Sequence, residues 1–221
     1  PSHKRRLSLQ DILSDKDGFD VFANHLVNEF SIENLFFLLE ITQIKHDAVK
    51  NGLLEKEHVG EMMEIAESRI DHTRRKDSHV HNEEELKKNL KYIFEHYIDP
   101  NSKYAINISG MTRIGCINNY LSMERTNVKS PTDFEVTTIV TPTEDDADPD
   151  HHDHVELEYA KAQSLSRSDN TSNIALPTIK DEVVMFDGAI HDVLQLLKLD
   201  SMSRFVATDE YKTFCQEMNK E

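Results

Sequence analysis

Histidine clusters are the residues of this chain that most directly suggest chemistry, because imidazole nitrogens bind transition metals. One cluster is HVH at residues 79–81, and the other is HHDH at residues 151–154. Neighbouring side chains in a polar segment seldom converge on one tetrahedral ion, and no cysteine accompanies either cluster. Residues 145–153 also lack the glycine and the final glutamate of a calcium loop. We therefore expect no metal site. A helical metal-dependent protein is the alternative, and metal analysis of untagged protein would test it.

No other set of residues resembles an active site. Neither Cys116 nor Cys215 has a nearby histidine or basic helix start that would mark a nucleophile. The sequence contains no P-loop, glycine-rich loop or catalytic dyad. We therefore expect the protein not to be an enzyme.

Ser8 is a candidate phosphorylation site, because it follows the basic run Lys4-Arg5-Arg6, as in sites of basophilic kinases. A phosphate at a helix start would be favoured electrostatically. The competing interpretation is that Ser8 caps the first helix and has Asp11 as its partner. Both interpretations place a helix directly after Ser8.

The composition excludes several classes of protein. The 221 residues include 41 acidic and 25 basic side chains, which give a formal net charge of −16. Such a chain is repelled by phosphate backbones and anionic lipids, so nucleic acid is not an expected partner. No apolar run approaches the ~20 residues of a membrane span, and the first six residues precede no apolar signal-peptide core. Two cysteines fit a reduced intracellular protein, so we expect a cytoplasmic location.

Apolar residues recur with helical spacing along most of the chain, whereas strand-like alternation does not recur. Each stripe would bury one helical face and leave the opposite face charged. The sequence therefore predicts an all-α fold. The six stripes are Phe19, Phe22, Leu26 and Phe30; Leu35, Leu38, Leu39 and Ile44; Val59, Met62, Met63, Ala66 and Ile70; Leu86, Leu90, Ile93, Phe94 and Tyr97; Ile190, Val193, Leu194 and Leu197; and Tyr211, Phe214, Cys215 and Met218.

Two stretches interrupt the ordinary pattern. Residues 45–82 are highly charged but carry a helical stripe, so we expect one or two additional helices there. Residues 123–180 are rich in Ser, Thr, Asp, Asn and Pro, and within them residues 142–158 contain eight acidic side chains and no Lys or Arg. This composition cannot bury enough apolar surface to offset the entropy of ordering. We expect an acidic, flexible insertion, within which residues 142–158 carry half of the net charge.

Three blocks of sequence resemble, in order, a regulator of G-protein signalling (RGS) domain. The first contains SLQDIL (8–13), GFDVF (18–22) and EFSIENLFF (29–37). The second runs from residue 97 to INISGMTR (106–113), and the third contains FDGA (186–189) and LLKLDSMSRF (196–205), followed by Thr208 and Tyr211. The two unusual stretches fall between these blocks.

The resemblance implies an all-α, RGS-like bundle of about nine helices in two subdomains, one from the terminal helices and one from the middle. Residues 1–221 would form a single domain with long insertions at 45–82 and 123–180. Leu38 replaces the family's tryptophan, Ser109 an aspartate and Ile190 a glutamine. These departures bear on affinity and partner choice more than on the fold.

The resemblance also implies a GTPase-activating protein that binds the switch regions of a GTP-loaded heterotrimeric Gα subunit and stabilises the hydrolysis transition state, terminating the signal. Such a protein supplies no catalytic group and no cofactor, since GTP and Mg belong to Gα. Asn107 matches the asparagine that approaches the Gα glutamine. Asp200 matches the aspartate that receives a switch threonine N–H, and Arg204, four residues later, could pair with it. The implied Gα contacts are Phe30, Glu33, Asn34, Asn107, Leu196, Asp200, Ser201 and Arg204.

These residues also have purely structural interpretations. Ser31 could be an N-cap with Phe30 as its hydrophobic staple, and Asn107 could be a turn residue. Leu196 could belong to the core, and Asp200 and Arg204 could form a solvated ion pair. The alternative function is an RGS-fold interaction or scaffolding module without GTPase-accelerating activity.

The expected protein is a cytoplasmic monomer. Recruitment to the inner face of the plasma membrane stays open, because Gα is membrane-anchored and the basic residues 4–6 alone would be a weak tether. The Gα class and the role of both insertions also stay open. Autoinhibition by residues 123–180 is one hypothesis, which deletion of that segment would test.

Overall fold

Polar caps fix where the first two helices begin. The Ser8 hydroxyl accepts the Asp11 N–H at 3.1 Å, and the Asp11 carboxylate accepts the Ser8 N–H at 2.8 Å. The Asp15 carboxylate accepts the Gly18 N–H at 2.7 Å. These bonds satisfy backbone donors that a helix start leaves open. The capping interpretation of Ser8 is confirmed, and its phosphorylation stays a prediction.

The computed structural model describes residues 7–56, 79–127 and 179–218. Over these residues the chain is helical and contains no strand, which confirms the predicted all-α class. Two π-helical turns, Phe94–Ile98 and Leu197–Ser201, extend α4 and join α7 to α8. The α-helices are α1 (Leu9–Ser14), α2 (Lys16–Asn28), α3 (Ile32–Lys50), α4 (Glu83–Ile93), α5 (Gly110–Asn127), α6 (Ile179–Val184), α7 (Asp187–Leu196), α8 (Met202–Phe205) and α9 (Asp209–Met218).

The predicted count of about nine helices stays a prediction. Helices α7 and α8 are continuous through a π turn, so the helix count depends on whether they are taken as one helix or two. Residues 57–78 and 128–178 lie outside the described residues, and they include most of both predicted insertions.

The apolar stripes meet in one hydrophobic core. The stripes of α2, α3 and α4 are buried as predicted, with the exception of Phe30, which is exposed. In α7, Val193 is buried and Ile190 packs partly buried against the core, whereas Met218 at the end of α9 is exposed. The stripe at residues 59–70 lies outside the described residues. The helical period therefore identified most of the core.

The helices pack in two contacting groups, and the predicted division into two subdomains stays a prediction. The terminal helices α1 and α9 both pack against α2. In the middle of the chain, α4 packs against α3 and α6, and α7 packs against α3 and α5. Helix α2 also contacts α3, so the two groups share one core.

Gly18 permits the close approach of the terminal helices. A Cβ atom at this position would lie 2.8 Å from the Ile12 carbonyl oxygen and 2.8 Å from the Phe214 ring. Such contacts are too short for a real Cβ atom, so a larger residue would push α9 away from α2. Close packing around this position therefore explains the glycine of the GFDVF block.

Helix α3 is longer than the sequence indicated. It continues to Lys50, and both Lys45 and Asp47 are buried, so residues 45–50 belong to α3 and its core contacts. The Asp47 carboxylate accepts the Val80 N–H at 3.2 Å, and the Asn51 amide donates to the Val80 carbonyl at 2.7 Å. These bonds return the chain to the end of α3 just before α4 begins.

An ion pair between Lys45 and Asp187 joins α3 to α7. The lysine side chain is only 3% exposed, whereas the aspartate is 47% exposed. Burial of an ammonium group is costly unless a carboxylate compensates it. The aspartate of the FDGA block therefore neutralises a buried charge of the long helix.

The asymmetry of this pair gives a prediction for stability. Asp187→Asn removes the carboxylate from a buried ammonium and should lower the unfolding free energy by about 2–3 kcal/mol. Lys45→Met keeps the aliphatic packing and leaves a hydrated carboxylate, so the loss should be below about 1 kcal/mol. Urea denaturation at pH 7 measures both values. Equal losses would contradict the assignment of the cost to the buried lysine.

Candidate partner-binding surface

The corner between α2 and α3 has an unusual backbone at Phe30. Its φ angle is 53°, in the left-handed region that bulky residues rarely adopt, and its side chain is 92% exposed. Helix α2 has already ended at Asn28, so Phe30 leaves the stripe that runs through Leu26. The predictions that Phe30 continues a buried face or staples a helix are therefore wrong. A strained and exposed aromatic residue is a common feature of binding sites.

Ser31 does not cap α3 with its side chain. No side-chain capping bond forms, and the buried Ser31 hydroxyl has no hydrogen-bond partner within the described part of the chain. The Ser31 carbonyl instead accepts the side-chain amide of Asn34 at 3.2 Å and the Asn34 N–H at 3.3 Å. The predicted Ser31 cap is therefore wrong, because Asn34 stabilises this helix start.

Asn34 lies behind the surface, since it is only 1% exposed. Its side-chain oxygen accepts the backbone N–H of Asn107 at 3.1 Å, across 73 positions of sequence. Its amide also lies 3.4 Å from the Glu33 carboxylate, which is half-buried. The predicted contact of Asn34 with a partner stays a prediction, and in this geometry Asn34 positions Asn107.

The segment that carries Asn107 is held from several sides. The guanidinium of Arg113 donates to the carbonyls of Ile98 and Ile106 at 2.5 and 2.6 Å. The Ile106 N–H donates to the Tyr97 carbonyl at 3.0 Å. The Asn107 side chain itself is exposed. The chain thus presents a solvent-facing amide on a fixed backbone.

Asp192 of α7 holds the residues that follow Asn107 through hydrogen bonds. Its carboxylate accepts the Ser109 N–H at 3.1 Å and the Thr112 hydroxyl at 2.7 Å. The Ser109 hydroxyl in turn accepts the Thr112 N–H at 3.1 Å, as an N-cap of α5 would. The bond from Thr112 is the main reason that the pKa of Asp192 lies below its usual range. No sequence motif marked Asp192, because its partners come from another part of the chain.

Arg204 joins α8 to the α2–α3 corner. Its Nε and Nη2 donate to the two oxygens of Glu29, the second at 2.9 Å, and its Nη1 donates to Asp200. The predicted pairing of Asp200 with Arg204 is confirmed. Glu29 belongs to the first sequence block, but the sequence did not show its pairing with Arg204. One guanidinium thus holds two carboxylates, Glu29 in a bidentate geometry and Asp200 through a single bond.

These bonds favour the ionised form of both carboxylates. The hydrogen bond from Arg204 is the largest cause that lowers the pKa of Asp200 and the pKa of Glu29 below their usual ranges. Asp200 is exposed, so its carboxylate faces solvent and can accept a hydrogen bond from a donor on another molecule.

The remaining candidates around the π turn differ in accessibility. Ser201 is only 2% exposed, and Leu196 is half-buried. The predicted contact of Ser201 with a partner stays a prediction, and its side chain packs inward here. Leu199 was not predicted, yet it is 71% exposed on the same turn as Asp200. The α2–α3 corner bonds to two other segments. Asn34 bonds to Asn107, and Glu29 bonds to Arg204, which lies beside the π turn.

A model of the regulator of G protein signaling domain matches residues 8–136, which is more than half of the chain. The chain belongs to this family. No curated protein and no solved structure matches it significantly. The RGS match covers the α2–α3 corner and the Asn107 segment, whereas α7 and α8 lie beyond it. The bonds from Glu29 to Arg204 connect the matched part to those helices.

Two further observations concern other classes of site in this RGS domain. Within residues 7–56, 79–127 and 179–218, no group of three or more His, Cys, Asp and Glu side chains could hold a metal ion. The rings of His79 and His81 stack 6.0 Å apart, and residues 151–154 lie outside the described residues. None of the described helices is long and apolar enough to cross a membrane.

The role of Asn34 leads to a second prediction. Asn34→Ala removes the acceptor of the Asn107 N–H and should lower the unfolding free energy by about 1–3 kcal/mol. It should also speed hydrogen exchange of the Asn107 amide at least about tenfold relative to wild type. Exchange followed by NMR measures this effect.

Asn89→Ala is the matched control, because Asn89 is a buried asparagine of α4 that bonds to the Glu85 carbonyl. It should cost similar stability and leave the Asn107 amide protected. Equal exchange of Asn107 in both variants would show that Asn34 does not position it.

Proposed function

We propose that this RGS domain is a GTPase-activating protein for a heterotrimeric Gα subunit. It binds the switch regions of GTP-loaded Gα and holds them in the geometry of the hydrolysis transition state. The observation that carries the proposal is the bonding of three separate segments around the α2–α3 corner. That bonding fixes the exposed amide of Asn107 and the exposed carboxylate of Asp200 relative to one scaffold.

The mechanism is preorganisation and not group transfer. Phosphoryl transfer depends mainly on positioning and electrostatic stabilisation, and GTP and Mg²⁺ belong to Gα. The activator lowers the barrier by the amount by which it prefers the transition-state form of the switches. A hundredfold acceleration corresponds to about 2.7 kcal/mol, which a few polar contacts in a dry interface supply.

Asn107 is the group that we assign to the Gα glutamine. An amide both donates and accepts hydrogen bonds and adds no charge, so it can orient a glutamine beside the attacking water. Because Asn34 and Arg113 both bond to the peptide group between Ile106 and Asn107, binding orders few additional torsions. The exposed side chain is then free to meet the partner.

Asp200 is the group that we assign to the backbone N–H of a switch threonine. The hydrogen bond from Arg204 lowers the pKa of Asp200 below its usual range, and Glu29 holds Arg204. A charged acceptor makes a stronger hydrogen bond than a neutral one. Arg204 thus acts mainly by aiming the carboxylate.

Phe30 supplies the apolar part of the proposed interface. Its ring is almost fully exposed, and exposed aromatic residues are enriched among the residues that dominate binding energy. Glu33 and Leu196 are half-exposed and stay proposed contacts at the edge, while Asn34 and Ser201 support the surface from behind. We propose that the domain acts as a monomer in the cytoplasm, beside the membrane that anchors its partner.

The third prediction tests catalysis of GTP hydrolysis. Asn107→Ala combined with Asp200→Ala should reduce the acceleration of single-turnover hydrolysis at least about a hundredfold, because two transition-state contacts are lost. The measurement follows phosphate release from GTP-loaded Gα subunits of several classes with and without the domain. No acceleration of any Gα by the wild-type domain would overturn the proposal.

The control variant combines Asn101→Ala with Asp209→Ala, which removes one exposed asparagine and one exposed aspartate elsewhere. It should retain full activity. Tight binding to Gα that does not depend on the bound nucleotide, without faster GTP hydrolysis, would instead indicate a scaffolding module.

The fourth prediction separates stability from binding at Phe30. Phe30→Gly removes the strain of a left-handed aromatic residue, so the unfolding free energy should stay equal or rise by up to about 1 kcal/mol. Affinity for transition-state Gα should fall at least about tenfold, because the apolar anchor is gone. Met218→Ala, another exposed apolar site, should change neither quantity by as much. A large loss of stability in Phe30→Gly would contradict the strain argument.

A further inference from the structure

A cavity lies between α5, α6 and α7, and the proposed Gα contacts do not line it. Its volume is about 510 Å³, which is within the range of small-molecule sites. Thr112, Gly115 and Met123 line it from α5, and Glu182 lines it from α6. Helix α7 contributes Gly188, which has no side chain to fill the space.

Glu182 gives the cavity its chemistry. The side chain is only 3% exposed, and its Oε2 atom has no hydrogen-bond partner among the described residues. The other oxygen lies 3.5 Å from Nζ of Lys87, whose side chain is 37% exposed. Burial of the carboxyl group raises its pKa, and Lys87 offsets this only in part. A buried carboxylate oxygen without a donor is costly, so a cation that bonds to it would be stabilised.

The remaining walls favour an organic ligand. Met123 and Met185 are buried side chains beside the cavity, and methionine adapts its shape to apolar ligands. Cys116 also lines it, but its thiol donates to the Met185 carbonyl at 3.2 Å, and burial raises its pKa to about 11. The thiol is therefore neutral and packs as an apolar group.

Other ligand classes fit less well. A metal ion needs several ligands, and no cluster of three or more His, Cys, Asp and Glu side chains exists in the described ranges. An anion would meet the carboxylates of Asp181 and Glu182 at the cavity wall. A ligand with an ammonium group at one end and an apolar body matches both the carboxylate and the methionines.

We propose that this cavity binds an amphipathic primary amine, with its ammonium group on Glu182 and its apolar chain between Met123 and Met185. No proposed Gα contact lines the cavity, so the existence of the site does not rest on the proposed function. Its test therefore uses binding and no GTPase assay.

The probe is n-hexylamine, added to the full chain labelled with ¹³C at the methionine methyl groups. We expect saturable shifts of the Met123 and Met185 methyl signals and unchanged signals from Met202 and Met218, which do not line the cavity. n-Hexanol and hexanoate have the same chain length without the positive charge. Both should bind at least about tenfold more weakly than the amine.

Two variants test the site without disrupting the fold. Glu182→Gln keeps the side-chain shape and should weaken amine binding at least about tenfold. Gly115→Leu should abolish binding by filling the cavity, since a Cβ atom at Gly115 meets no atom of the described residues within 4 Å. It should not lower the melting temperature, because leucine favours a helix more than glycine does.

Glu95→Gln, an exposed carboxylate on the π turn after α4, should leave amine binding unchanged. The proposal is overturned if hexanol binds as tightly as the amine, or if Glu182→Gln binds the amine normally. It is also overturned if the amine shifts neither Met123 nor Met185 in the wild-type chain.

Discussion

The left-handed backbone at Phe30 is the constraint on which the candidate surface depends. It ends the run of α2 and turns the chain sharply into α3, so that Glu29 can reach Arg204 while Asn34 reaches Asn107. A right-handed residue at this position would prolong the helix and separate these partners. The strain costs on the order of 1 kcal/mol, and the bonds on either side of the corner offset it.

Charged side chains in this fold serve mainly to orient the side chains and segments that they bond to. Arg204 holds two carboxylates, Asp192 fastens the start of α5, and Asp187 neutralises the buried Lys45. Apart from the pair of Arg204 with Asp200, which lie four residues apart, these bonds connect segments that are distant in sequence. The net charge of −16 says little about them, since half of it lies in residues 142–158, outside the described residues.

The fold could be predicted further than the site. Helical periods identified the buried faces of α2, α3 and α4, because burial of one face repeats every three or four residues. The same rule failed at Phe30, where a single backbone torsion overrides the period. It also misjudged the end of α3, because Lys45 and Asp47 look solvent-exposed until their partners from residues 187 and 80 are placed beside them.

The sequence by itself determined the helical class, most core positions, the capping of α1 by Ser8, the family, and the pairing of Asp200 with Arg204. All of these depend on residues close in the chain or on ordered motifs. Only the tertiary structure decided that Asn34 and Ser201 lie behind the surface, that Glu29 holds Arg204, and that Glu182 faces a cavity. Burial and long-range bonding depend on which helices pack together, and no local pattern encodes that.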